Sequence, residues 1–60
     1  MAHVAVYRDR SDQRNVFVLN IMSLETGSRV RYKYAPDGKE QTLGRNNFKK
    51  AYAHVAGVLV

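Results

Sequence analysis

Residues 29–34 read RVRYKY, with a cation at every odd position and Val30, Tyr32 or Tyr34 at every even one. A period of two predicts an extended strand with one wet face and one dry face. The next segment, APDGK (35–39), sets Pro36 at a turn's first corner and closes with Asp37-Gly38. Both are strong turn signals, and EQTL (40–43) can return as a second strand. A hairpin over 29–43 is therefore the firmest local expectation.

Two more strands are expected upstream. HVAVY (3–7) is β-branched and aromatic, and it runs into the turn-rich cluster RDRSDQRN (8–15). VFVLNIM (16–22) is a nearly unbroken apolar run, which suggests a strand covered on both faces and central in a sheet. SLETGS (23–28) follows, with Gly27 able to supply a positive φ.

After Gly44 the period changes. Phe48, Ala51, Tyr52, Val55 and Leu59 fall on one stripe of a helix, which Gly57 would stop. Gly44, Asn46 or Asn47 would cap its start. The tail VLV (58–60) is left open as a frayed end, a closing strand or a contact for a second copy.

Sequential antiparallel pairing is the simplest topology for so many short connections. The expected fold is mainly β (α+β). It is a small curled antiparallel sheet or SH3-like barrel of four to five strands, with one C-terminal amphipathic helix. Residues 1–60 form a single domain. The expected core is Val4, Val6, Phe17, Leu19, Val30, Tyr32, Leu43, Phe48 and Tyr52.

At this point a resemblance enters. VYRD near the start, VFV, VRYKY and finally FKKAYAHV are similar to short uncharacterised accessory proteins of lambda-like phages and prophages. Those carry V-Y-x-D, a V-x-V strand, a V-x-[YF] strand ending in basic residues, and a terminal F-x-x-x-[FY]-x-x-V element. The likeness spans roughly residues 6–55. It implies a small phage-encoded protein that is not an enzyme, and it transfers no catalytic residue.

Charge narrows the partner. Ten Lys and Arg against five Asp and Glu give a net charge of +5, which favours nucleic acid, anionic lipid or an acidic protein face. Along one face of a strand, residues recur about every 6.6 to 6.8 Å. That is near the spacing of successive phosphates, so Arg29, Arg31 and Lys33 form a candidate row for nucleic-acid backbone. Arg45, Lys49 and Lys50 extend the row if the helix packs beside this strand. Any half-buried strand carries polar residues outward, so the row by itself establishes only a strand. Tyr32 and Tyr34 lie opposite the charges and are read as core packing, with their hydroxyls at the rim.

Arg8, Arg10 and Arg14 share their loop with Asp9 and Asp12, which favours local pairing. His3 and His54 are too far apart in sequence to read as a metal pair, and there is no cysteine for zinc, disulfide or nucleophilic chemistry. The serines lie in turns, and the four glycines are scattered singly, so no phosphate loop is present. No catalysis, cofactor or metal is expected.

The N-terminus lacks the pattern of a signal peptide, and the longest apolar run is too short to span a bilayer. A soluble protein of the cytoplasm is expected, the host's if phage-encoded, with no membrane partner. DNA or RNA is the first expected partner. The alternative is a modulator or inhibitor of an acidic host protein, using the same basic face or an exposed strand edge. The surplus of apolar residues in VFVLNIM and VAGVLV makes a homodimer a further expectation.

Overall fold

A computed structural model describes residues 3–35 and 37–60. Five strands form one antiparallel sheet: β1 (Ala5–Asp9), β2 (Asn15–Leu24), β3 (Gly27–Lys33), β4 (Gln41–Gly44) and β5 (Tyr52–Gly57). A single short helix, α1 (Arg45–Ala51), joins β4 to β5. The order across the sheet is β4-β3-β2-β1-β5. The apolar run of β2 is thus the central strand, as expected, but it is not covered on both faces: Val16 and Val18 are buried, whereas Phe17 and Leu19 are half-buried and Ile21 is exposed. β4 and β5 are not paired with each other, so the sheet stays open and no barrel closes.

The expected hairpin forms. Val30 faces Leu43 and Tyr32 faces Gln41 across β3 and β4, and the Gly38 amide donates to the Ala35 carbonyl at 2.9 Å. The Pro36 corner lies outside the described residues. The β2–β3 turn is made by Glu25 and Thr26, with Gly27 at φ +121.

α1 is anchored to the sheet by one side chain. Phe48 is fully buried, stacked on Tyr52 at 4.5 Å and edged by Tyr7 at 5.1 Å. Val16, Val18, Val30 and Tyr32 complete the layer beneath it. Val60 closes the core and donates its amide to the Tyr7 hydroxyl at 2.9 Å.

Two sequence expectations are corrected here. The first is parity. Ala5, Tyr7, Val16 and Val18 face the core, in place of Val4, Val6, Phe17 and Leu19. Val4 is exposed and the other three are half-buried. Pairing Tyr7 with Val16 and Ala5 with Val18 puts the one aromatic of β1 inside, and a one-residue shift turns every side chain of a strand over. Val30, Tyr32, Phe48 and Tyr52 are buried as expected, and Leu43 packs against them.

The second is the helix, which ends at Ala51 rather than near Gly57. Tyr52 already has extended backbone (φ −130, ψ 145), and residues 52–57 pair with β1. Pairing gives those amides partners across the sheet, while Tyr52 still stacks on Phe48. The apolar spacing that mimicked a helix is split between one helical turn and a strand.

Both sheet edges are blunted. β4 is four residues long. In β5 the pairing with β1 slips at Val55, where a bulge breaks the ladder, and the His54 ring shares a hydrogen bond with the Gly57 carbonyl at 2.9 Å. Short or bulged edges discourage strand addition. No helix among the described residues is long and apolar enough to cross a membrane.

Candidate nucleic-acid interface

β3 alternates as expected over residues 29–32. Val30 and Tyr32 point at Phe48, so Arg29 and Arg31 point from the opposite face of the sheet. The six candidate cations are then divided by the fold. Arg29 is exposed, with Nη2 at 3.5 Å from the Thr42 hydroxyl. Arg31 donates through Nε to Glu40 Oε1 at 2.7 Å, and its Nη2 reaches the same oxygen. Both side chains are nearly half exposed, so this ion pair adds little stability; its effect is to offset the positive charge of the row. Lys33 lies across from Phe17 and is only 7 % exposed, which corrects its expected place on the wet face.

Arg45, Lys49 and Lys50 lie on α1, on the core-facing side of the sheet. A continuous face of all six does not form. Consecutive helical residues diverge by about 100°, and Lys49 and Lys50 accordingly serve different clefts. Lys50 joins Arg45 in an open cleft of ≈ 610 Å³ between α1 and the β2–β3 turn, where Thr26, Ser28, Asn46 and Asn47 complete the polar lining. Gly27 and Gly44 form the rest of its wall without side chains to fill it. Arg29 pairs with Gly44 across β3 and β4, which puts it on the other face of the strand that borders the cleft.

Two cations, two hydroxyls and two carboxamides line this space, and no carboxylate does. Every one of those side chains can donate a hydrogen bond to an anionic oxygen. Sequence reasoning found the cations but passed over Thr26, Ser28, Asn46 and Asn47. SLETGS reads only as a turn, and nothing local says that a turn will fold over the start of a helix 18 or so residues later.

The aromatic cluster on the other side is committed to structure. Tyr34 donates to Asp9 Oδ2 at 2.9 Å, so at the 2.6 Å Tyr34–Tyr52 contact the Tyr52 hydroxyl is the donor. Arg14 lies over the Tyr34 ring at 4.4 Å. Bonds from the Ser11 hydroxyl and amide hold the Asp9 carboxyl down at about 2. Arg14 also binds Asp12 through Nε at 2.6 Å; that bond raises the arginine's pKa. Within the mixed-charge loop Arg14 thus pairs with Asp12, as its composition suggests, whereas Arg10 turns to the end of α1.

His54 sits on β5 beside Tyr7, ring centroids 5.2 Å apart, and not at a helix end. Among the described residues no group of three His, Cys, Asp or Glu could hold a metal ion. The chain matches no family model and no curated protein, and its fold matches no solved structure.

Proposed function

We propose that this chain is a small non-enzymatic accessory protein of phage type that binds nucleic-acid backbone, with Arg45 and Lys50 holding phosphate in the polar cleft. One observation carries the reading: the cleft is lined by hydrogen-bond donors and two cations with no carboxylate among them. Phosphate contacts need charge and reach, and they give affinity without base readout. The buried rings of Tyr7, Tyr32, Phe48 and Tyr52 offer no platform for stacking bases, which favours backbone contact over single-strand recognition.

The test is fluorescence anisotropy with a labelled duplex DNA, a duplex RNA and a single strand, each over a range of salt. Binding is expected to weaken steeply with salt. Removing both cations (Arg45→Glu with Lys50→Glu) should weaken binding to every sequence alike and lower the log–log salt slope by about 2. Lys39→Glu with Arg8→Glu, two exposed cations outside the cleft, is the charge-matched control. Equal losses in the control and the double variant would assign the binding to net charge rather than to the cleft.

A further inference from the structure

On the far side of α1 lies a second, chemically different groove. Its volume is ≈ 280 Å³, and it runs between α1, the β1–β2 turn and the last residues of the chain. Tyr7, Tyr52 and His54 line it, with Arg10 and Lys49 as its cations and Leu59 as an apolar wall. We propose that this groove binds an acidic peptide segment bearing a large apolar side chain, the side chain against Leu59 and the aromatic rings, the carboxylates on Arg10 and Lys49.

The cations are positioned before any partner arrives. The Arg10 amide donates to the Ala51 carbonyl at 3.1 Å, and its guanidinium Nη2 lies 3.5 Å from the Lys49 carbonyl. This pins the β1–β2 turn to the end of α1 and sets the two charges on one rim. The apolar wall is equally fixed. Val60 is 2 % exposed, with its amide on the Tyr7 hydroxyl, while its neighbour Leu59 is left 73 % exposed. Leu59 is the most exposed of the large apolar residues described, and it stands where the floor is aromatic and the rim cationic.

Charge complementarity selects the occupant. No Asp or Glu side chain lines the groove, so an acidic segment gains from Arg10 and Lys49 on its rim. A second copy would bring a net charge of +5 to the same rim. Three of the chain's five acidic residues, Asp9, Asp12 and Glu40, are already engaged in local bonds. A nucleic-acid backbone would use the two cations but gain nothing from Leu59, whereas the phosphate cleft has no apolar side chain at all. A peptide carrying both chemistries uses the whole groove.

The probe is a fluorescein-labelled peptide EEDLFDEE, with KKKLFKKK as its counterpart, titrated by anisotropy at low salt. The acidic peptide is expected to saturate and the basic one not to bind. Lys49→Glu and Leu59→Ser should each weaken the complex about fivefold, and Lys39→Glu should leave it unchanged. Both altered side chains are exposed, and unchanged circular dichroism will separate lost binding from lost fold. The proposal is overturned if the acidic peptide does not bind, if Lys39→Glu weakens it as much as Lys49→Glu, or if an unlabelled duplex displaces it at equal concentration. It stands independently of the phosphate cleft, since failure of oligonucleotide binding does not touch it.

Discussion

Gln13 has a positive φ of 66°, the only non-glycine residue so placed among those described. A side chain in that region costs about 1–2 kcal/mol, and here it is retained because the turn is tied on both sides. The Gln13 amide donates to the Asp9 carbonyl at 2.8 Å, and the Asp9 amide to the Arg14 carbonyl at 2.8 Å. Gln13→Gly keeps those bonds and relieves the strain. It is expected to raise stability by about 1 kcal/mol, or about 4–8 °C in a domain of this size, measured by thermal unfolding. At this scale the sequence was legible where polarity alternates and misleading where it does not. RVRYKY tells Val30 and Tyr32 from Arg29 and Arg31 unaided. VFVLNIM offers apolar side chains to both faces, so only the partner strands decide that Val16 and Val18 are inside. Lys33 shows the limit of alternation: a position on the wet face is not wet if a neighbour covers it.

Among the elements, α1 and β5 depart furthest from expectation, because Phe48 and Tyr52 serve the same core from a helix and a strand. The hinge of that arrangement is the far end of β5. Gly57 has φ +85, and a Cβ there would lie 2.3 Å from the Val4 carbonyl oxygen, the atom that receives the Val58 amide at 3.1 Å. Gly57→Ala is therefore expected to cost about 2–3 kcal/mol, read by urea unfolding. Faster amide exchange at Val58 and Val60 should accompany it, since both depend on this approach. The sequence marked Gly57 correctly as a breaker but assigned it to a helix. A lone glycine does not say which element it ends.

For the whole molecule, the core's tyrosines set the alkaline limit. Burial pushes the Tyr32 and Tyr52 hydroxyls up to about 12 from an ordinary value near 10. A raised folded pKa gives stability that is full below pH 10 and is lost as pH rises through 12. Unfolding should therefore track tyrosinate absorbance within that window. Tyr52→Phe should reduce the stability lost across that window, because one of the two raised hydroxyls is gone. At the acid end Asp9 works in the opposite sense, and its contribution fades only as pH falls from the ordinary carboxylate range toward 2.

Five strands around one aromatic layer leave the cations distributed over separate surfaces, and the functional reading depends on that partition. Lys50 and Arg45 face a polar cleft, Lys49 and Arg10 an aromatic one, and Arg31 is held by Glu40. We propose that the first of these surfaces takes phosphate. Its most direct test is a titration of ¹⁵N-labelled protein with a short duplex DNA and a duplex RNA, followed by amide chemical shifts. Shifts are expected to concentrate at Thr26–Ser28, Gly44–Asn47 and Lys50 and to vanish in high salt. Shifts confined to Arg10, Lys49, His54 and Leu59, or no shifts at low salt, would contradict it.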